Sequence, residues 1–330
     1  MTRSLRSATR VRPSPASQKY DQDARIPITA DPAIHATPNQ VQSFTSGIKL
    51  IPQATSSLPD LDAEGARILR KKQQRLRASA QSISSLASKY GSHISNALQT
   101  TYIFAQHEAG TAVCVDAAGW ILTCAHCFGE SEDEWRAQRR KWLLAHGGVA
   151  VEVECMFWDA RRDLALGRIV CVEGAHVPDA FACVMLPPSR LKGEGVYMRA
   201  PIVCIGQPGA DDLESERPRK TDYALVEISE GRLRGLIPRA DPQDNSEIGT
   251  LRHDAWTYWG HSGAPLLCRE TGTLLGLHSS WDDETAMRHG VPLAAIREFL
   301  MEYLRGFSTG EDSAVSGDEP GEQTEVIMID

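Results

Sequence analysis

Short apolar runs separated by turn residues dominate the chain from about residue 98 onward. Gly, Pro and Asp punctuate these runs, a pattern typical of short β-strands joined by turns. Strands are predicted at Thr101–Ala105, Thr111–Val115, Trp120–Cys124, Val149–Phe157, Leu164–Val170, Ile202–Ile205, Tyr223–Ile228, Ala264–Leu267 and Thr273–Leu277. So many short strands at such spacing predict an all-β barrel or sandwich.

Three helices are predicted around these strands. Residues 61–95 place apolar side chains at roughly helical intervals among Lys, Arg, Gln and Ser, and Gly91 fits a C-terminal stop. This segment is therefore an amphipathic basic helix. Residues 131–145 predict a helical insertion, and residues 293–305 predict a C-terminal helix. The apolar positions of the first helix are Leu61, Ile68, Leu69, Leu76, Ile83 and Leu86.

The two ends of the chain differ from residues 96–305 in composition. Residues 1–60 are rich in Ser, Thr, Pro and Gln, and such a segment cannot bury enough apolar surface to offset its ordering entropy. Residues 1–95 carry 14 Lys/Arg against 6 Asp/Glu, whereas residues 306–330 carry 7 Asp/Glu and no Lys or Arg. We expect a disordered basic arm and a disordered acidic tail on either side of one globular domain.

Overall composition places the chain among ordinary globular proteins, with 42% apolar and 24% charged residues. No run of about 18 apolar residues predicts a membrane span. No N-terminal signal peptide is evident, so we read the eight cysteines as mostly reduced and buried. These features favour an intracellular protein, cytoplasmic or nuclear. The Arg-rich start, poor in acidic residues, leaves a mitochondrial location as the alternative.

Three local motifs carry chemistry. The run Gly119–Cys127 leads a predicted strand into Ala125 and His126. Asp163 stands at the mouth of the apolar strand Leu164–Val170, with Asp159 as the fallback carboxylate. Ser262 lies in Gly-His-Ser-Gly-Ala-Pro, residues 260–265. Each motif alone also fits a structural role, as a strand end or a glycine-rich turn.

The order of the three motifs suits nucleophilic catalysis. A serine hydroxyl is a weak nucleophile that needs a neutral imidazole to take its proton and a carboxylate to hold that imidazole. His126, Asp163 and Ser262 supply the three groups. Glycine allows a sharp turn, so the amides of Gly260 and Ser262 can point at one spot as an oxyanion hole. A metal at Cys124, His126 and Cys127 is not favoured because no second Cys/His pair follows at zinc-finger spacing.

These motifs resemble those of the trypsin/chymotrypsin-like serine proteases over residues 98–305. The finer likeness is to the intracellular Deg/HtrA-type protease domain, without the PDZ domain that usually follows it. It rests on His253-Asp-Ala, Cys204-Ile-Gly-Gln-Pro-Gly, Val226-Glu-Ile-Ser-Glu-Gly, Gly276-Leu-His-Ser-Ser-Trp and His289-Gly-Val-Pro. The resemblance implies two six-stranded antiparallel β-barrels, here with an N-terminal helix, a helical insertion and a C-terminal helix.

Two departures from the family pattern matter. Secreted zymogens of the family place an Asp just before the serine, and here that residue is His261, so their activation switch is absent. The resemblance also implies a primary specificity pocket, for which we name Trp256, Tyr258, Ser279, Trp281 and Gly290. We expect Trp256 or Trp281 to narrow the pocket to small apolar residues or to close it; the alternative is that these rings pack in the core. The family position of Ser279 implies a hydrogen bond beside Asp163.

The sequence therefore predicts a serine endopeptidase that needs no cofactor or metal and acts on a protein or peptide. The alternative is a catalytically silent protease fold that serves as a protein-binding module. The basic arm and helix do not predict a nucleic-acid partner. Glu325-Val-Ile-Met-Ile-Asp330 resembles a SUMO-interacting motif, which binds by strand addition, and a frayed terminus is the alternative there.

Overall fold

The structure is a computed structural model that describes residues 47–53, 58–106, 109–188, 198–212 and 219–311. Side chains of the last helix are described through Tyr303. The helices are α1 Ala63–Ser88, α2 Ser92–Gln99, α3 Glu132–Ala137 and α4 Leu293–Glu311, with a 3-10 turn at Ala125–Cys127. The predicted arm at residues 1–46 and the motif at 325–330 lie outside the described residues.

Six strands close the first barrel: β2 Thr101–Phe104, β3 Thr111–Asp116, β4 Trp120–Thr123, β5 Arg140–Ala145, β6 Ala150–Asp159 and β7 Leu164–Glu173. Neighbours run antiparallel in the order β7-β4-β3-β2-β5-β6, and β6 pairs with β7 to close the ring. A short strand, β1 Lys49–Ile51, adds to β7 in parallel register. Strand pairing around a closed ring leaves the barrel itself without an edge.

Another six strands close the second barrel: β8 Met198–Gly206, β9 Glu227–Leu236, β10 Leu251–His253, β11 Pro265–Cys268, β12 Leu274–Trp281 and β13 Arg288–Pro292. Their order is β10-β13-β12-β11-β8-β9, and β9 pairs with β10. The two six-stranded antiparallel barrels confirm the predicted fold class. Across the described residues no helix is long and apolar enough to cross a membrane.

Helix α1 packs on the first barrel and supplies part of the core. Leu69, Leu76 and Ile83 are buried along one face at intervals of seven residues. Gln73 on the same face donates to Gly148 O at 3.0 Å and to Glu173 Oε2 at 2.6 Å. Because the helix covers its outer side, strand β2 is buried on both faces. The helix is thus part of the globular unit.

Helix α4 follows β13 of the second barrel and packs against strands of both barrels. Tyr303 packs edge-on against Trp120 of β4 and Phe157 of β6, with ring centroids 4.6 Å and 4.5 Å away. Ile296 and Phe299 are buried on the same helix. Helix α4 therefore joins the two barrels from outside the strands.

Several predicted boundaries were wrong. The predicted helix 131–145 ends at Ala137, and Arg140–Ala145 is a strand. Its Lys141-Trp-Leu-Leu run is buried on both faces, and such a run has the same pattern in a strand as in a buried helix. The predicted disorder to residue 60 is wrong at Lys49–Ile51, because β7 provides a strand for it to pair with.

Other elements differ in extent. Helix α1 ends at Ser88, close to the stop predicted at Gly91, and the end of the predicted segment 61–95 lies in a second helix, α2; Gly91 between the two helices has φ +106°. The strand predicted at 223–228 is displaced to Glu227–Leu236, and Tyr223 instead packs its ring against Trp256 and Tyr258. Helix α4 continues to Glu311, beyond the predicted end at 305.

Candidate active site

His126 lies in the 3-10 turn that follows β4, at the boundary between the barrels. The turn is held by Trp158, whose indole Nε1 donates to Ala125 O at 2.9 Å. The His126 side chain is 19% exposed and lines the cleft. Cys127, next in the chain, donates from Sγ to Ser262 O at 3.6 Å.

Asp163 orients this imidazole. Its carboxylate is 2% exposed and accepts from His126 Nδ1 at 2.9 and 3.1 Å, and from the His126 amide at 3.3 Å. Ser279 Oγ donates to the same carboxylate at 2.9 Å. Burial by itself raises the pKa of Asp163, but the His126 charge and these hydrogen bonds outweigh burial and lower that pKa. The carboxylate is therefore held as an anion.

Asp159, the fallback carboxylate, is committed elsewhere. Its carboxylate forms an ion pair with Arg162 Nη1 at 2.7 Å and accepts a hydrogen bond from the backbone N–H of Arg162 at 2.9 Å. Arg162 also pairs with Glu302 of α4. Asp159 thus anchors a helix, and Asp163 is the carboxylate at His126.

The loop that carries Ser262 is shaped by two glycines with positive φ. Gly260 has φ +98° and Gly263 has φ +81°. A Cβ on Gly263 would lie 2.1 Å from Thr111 O and 2.2 Å from Thr123 Oγ1. Only glycine fits at residue 263, because any Cβ would overlap these atoms and because the backbone φ is positive. The glycines therefore let the loop press directly onto β3 and β4.

Thr111 fastens this loop to the first barrel. Its amide donates to Ser262 O at 2.9 Å, and its hydroxyl donates to Gly260 O at 3.3 Å. The Gly263 amide donates to His278 O at 2.8 Å. Within the described ranges, the amides of Gly260 and Ser262 have no hydrogen-bond acceptor, as an oxyanion hole requires before substrate binds.

One cleft of about 790 Å³ brings the candidate residues together. His126, Gly260, Ser262, Tyr258, Ser279 and Trp281 all line it. Trp256 and Gly290, expected in the pocket wall, do not line this cleft. Trp256 stacks on Tyr258 at 6.4 Å and meets the His261 ring edge-on at 5.5 Å. Gly290 is buried between strands, against Gly249.

Two tryptophans set the shape of the cleft beside Ser262. The rings of Trp259 and Trp281 meet edge-on, with centroids 5.7 Å apart. Further lining residues were not picked out from the sequence, since their local patterns do not differ from ordinary strands and loops. They are Phe104, Gln106, Ala109, Phe128, Glu130, Glu134, Lys141, Asp211, Asn245 and Glu247.

A second group missed in the sequence lies behind the serine loop. His253, His261 and His278 are at most 5% exposed. His253 Nε2 lies 3.0 Å from His278 Nδ1, and the His261 ring stands edge-on to His278 at 6.3 Å. Burial lowers the pKa of all three, to about 3 for His253 and about 4 for His261. These imidazoles are therefore uncharged at neutral pH.

Ligand atoms of Cys124, His126 and Asp163 lie within 4.8 Å of one another. The Cys124 thiol donates to His278 O at 3.4 Å, and burial raises its pKa well above the usual range. A protonated thiol is a poor metal ligand. The hydrogen bonds of the three residues account for their proximity.

All eight cysteines are free thiols, and five of them are buried. This agrees with the expectation of reduced, mostly buried cysteines. The two barrels are joined by hydrogen bonds such as those from Ser279 to Asp163 and from Thr111 to Ser262.

Comparison with known protein families identifies the family to which this fold belongs. The model of the trypsin-like peptidase domain matches residues 110–277, about half of the chain. No curated protein matches the sequence. The matched segment runs from the residue before β3 into the first half of β12 and includes His126, Asp163 and Ser262. By its fold and by this match, the chain belongs to the family of trypsin-like peptidase domains.

Proposed function

We propose that this protein is a serine endopeptidase that cleaves peptide bonds through His126, Asp163 and Ser262. The observation that carries the proposal is the chain of hydrogen bonds from Ser279 to Asp163 to His126 Nδ1, with Ser262 in the same cleft. Nδ1 donates to the carboxylate, so in the proposed reaction Nε2 is the ring nitrogen that accepts the serine proton. Trypsin-like membership supports a protease fold, and the geometry supports the chemistry.

The proposed reaction follows from these positions. Ser262 Oγ attacks the scissile carbonyl while His126 takes the hydroxyl proton. The carbonyl oxygen becomes negative and is stabilised by the amides of Gly260 and Ser262. His126 then gives its proton to the leaving amine, and water hydrolyses the acyl-enzyme by the same sequence. Asp163 stays ionised throughout and stabilises the imidazolium.

In the proposed reaction the Ser262 hydroxyl must first leave its present hydrogen bond. The Ser262 hydroxyl donates to Ser279 O at 3.3 Å. Attack requires it to turn toward His126, a change between staggered rotamers of one side chain. Substrate binding in the cleft would provide the environment for this change.

A catalytically silent binding module is the second candidate. The Ser262–Ser279 hydrogen bond and the Trp259–Trp281 pair beside the serine favour it. In that case a peptide segment would occupy the cleft without being cut. Both candidates place a protein or peptide in the same groove.

A fluorophosphonate probe with mass mapping of the modified residue tests the proposal. We expect labelling at Ser262 in the full chain and none in Ser262→Ala. Ser229→Ala is the matched control, because Ser229 does not line the cleft. Its hydroxyl donates to Trp256 O at 2.7 Å. Hydrolysis of casein should fall by roughly 10⁴- to 10⁶-fold in Ser262→Ala. A folded parent that neither labels nor hydrolyses supports the binding module instead.

We further propose that the chain belongs to the intracellular Deg/HtrA-type branch and needs no zymogen cleavage. His261, where zymogens carry Asp, is buried, and its pKa of about 4 leaves it uncharged. Its Nδ1 lies 3.1 Å from Tyr258 O. Such a residue cannot hold a new ammonium terminus. The uncut chain should therefore label with the probe, and a strict requirement for N-terminal cleavage contradicts this proposal.

A further inference from the structure

Lys72 of helix α1 places its ammonium beneath the wall of the cleft. Nζ donates to Phe104 O and to Gln106 O, both at 2.8 Å. With its amide oriented to satisfy both neighbours, Gln207 accepts from Lys72 Nζ through Oε1 at 3.2 Å. All three ammonium protons are thus used, on oxygens from β2, from the residues after it and from the end of β8. Within the described ranges no carboxylate pairs with Lys72.

One residue is shared by Lys72 and Gly260: Lys72 holds the side chain of Gln207, and Gly260 packs against the backbone oxygen of Gln207. A Cβ on Gly260 would lie 2.4 Å from Ala109 Cβ and 2.6 Å from Gln207 O. The side-chain amide of Gln207 also donates to Gly110 O at 3.0 Å. The backbone N–H of Gln207 donates to Thr111 Oγ1 at 3.0 Å. That hydroxyl in turn donates to Gly260 O.

We propose that Lys72 is a positioning residue for the oxyanion-binding amide of Gly260. Its ammonium ties helix α1 to both barrels at the point where the glycine packs, so full activity requires the helix and its charge. The proposal rests on the proposed peptidase function. Helix α1 precedes the matched residues 110–277, so it adds an element outside the matched family domain.

The pH dependence expected at this site comes from the Lys72 ammonium itself. The carbonyls of Phe104 and Gln106 and the Gln207 amide do not titrate. Burial, with a smaller contribution from the like charge of Arg75 on the same helix, lowers the pKa of Lys72 to about 8. A neutral amine has two donors for three oxygens and no charge to attract them. The oxyanion loop should therefore loosen as the pH rises through about 8.

Lys72→Met removes the ammonium and keeps the length of the side chain. We expect kcat to fall by about 10- to 100-fold, less than the loss of a whole oxyanion donor, with KM within about threefold. The decline of the parent's kcat above pH 8 should disappear in the variant. Lys71→Met is the matched control, because Lys71 is exposed on the same helix. It should keep both the kcat and the alkaline decline of the parent.

Amide hydrogen exchange of residues 255–263 gives a readout that needs no turnover. Exchange should be faster in Lys72→Met at pH 7, and in the parent it should rise above the intrinsic pH trend between pH 7 and 9.5. If the parent neither labels nor turns over, the proposed function fails, and this measurement still tests the positioning. The parent profile also serves if the variant does not fold.

Two results overturn the inference. One is a folded Lys72→Met protein with the parent's kcat or with the parent's alkaline decline unchanged. The other is equal exchange at residues 255–263 in parent and variant, together with a parent loop whose exchange follows only the intrinsic pH trend.

Discussion

The hydroxyl of Ser279 on β12 donates a 2.9 Å hydrogen bond to the carboxylate of Asp163, the last residue of the turn before β7. The bond crosses from the second barrel to the first. A 2% exposed carboxylate needs such donors, since water does not reach it. Closure of the two barrels therefore completes the environment of the proposed catalytic carboxylate.

Ser279→Ala should reduce kcat by about tenfold and the free energy of unfolding by about 1.5–3 kcal/mol, the range for a hydrogen bond to a charged group. The Ser279 carbonyl, which accepts from Ser262, remains. Peptide hydrolysis and urea unfolding measure the two effects. Ser229→Ala removes a hydroxyl hydrogen bond at a residue that does not line the cleft and should affect stability alone. A Ser279→Ala protein with the parent's kcat and stability would show that the bond is idle.

Asp163→Asn should lower kcat by roughly 10⁴-fold, because an amide cannot hold His126 in the tautomer that leaves a free base. Fluorophosphonate labelling should slow in the same variant. Asp159→Asn, at the carboxylate bound to Arg162, should keep turnover. The assignment of Asp163 is wrong if the two variants exchange these phenotypes.

Gly263→Ala should destabilise the protein by more than about 2 kcal/mol, since the new methyl overlaps Thr111 O and the residue must keep φ +81°. Urea unfolding measures the loss. Gly147→Ala is the control, because no atom lies within 4 Å of its added Cβ. Equal stability of the two variants contradicts the described position of the serine loop.

Acid should destabilise the fold through the buried histidines. Their folded pKa values lie below the ordinary value of about 6.5, so the unfolded chain binds protons that the native protein does not. Stability is fully present above about pH 6.5 and falls below it, by roughly 1 kcal/mol per pH unit for each proton. Urea unfolding at pH 7.5 and pH 5 measures this.

Glu152 works in the opposite direction. Burial and the nearby Asp60 raise its pKa to about 7, so between about pH 7 and 4.5 the native state binds a proton that the unfolded chain does not, and this group adds stability as the pH falls through that range. One carboxyl offsets one of the three histidines. His253→Gln should accordingly flatten the acid slope by about one proton. A stability that does not change between pH 7.5 and pH 5 rules out buried neutral histidines as the dominant acid-sensitive groups.

Trp281→Ala should widen the cleft beside Ser262, because the ring that meets Trp259 is removed. We expect kcat/KM for a peptide with Phe before the scissile bond to rise about tenfold relative to one with Ala. Trp256→Phe is the control, since Trp256 does not line the cleft. An unchanged Phe/Ala ratio in Trp281→Ala would place the specificity elsewhere.

Local sequence patterns determined much of this protein. Apolar runs and turn residues predicted the β-barrels because strands bury alternate or continuous apolar side chains wherever they lie. His126, Asp163 and Ser262 stood out because each sits at a strand end or glycine turn in a recognisable motif. Patterns failed where the partner decided the outcome: Lys49–Ile51 became a strand because β7 was beside it, and Trp142–Leu144 because two strands flanked it.

Only the tertiary structure decided which residues meet. Trp256 turned toward His261 while Trp281 faced the cleft, although both are single tryptophans near the same loop. Lys72 looked like one charge of a basic helix, and the fold linked it to Gly260 through Gln207 and Thr111, which are distant from it in sequence. Hydrogen bonds and packing between remote segments depend on the closure of both barrels, and no local pattern encodes that closure.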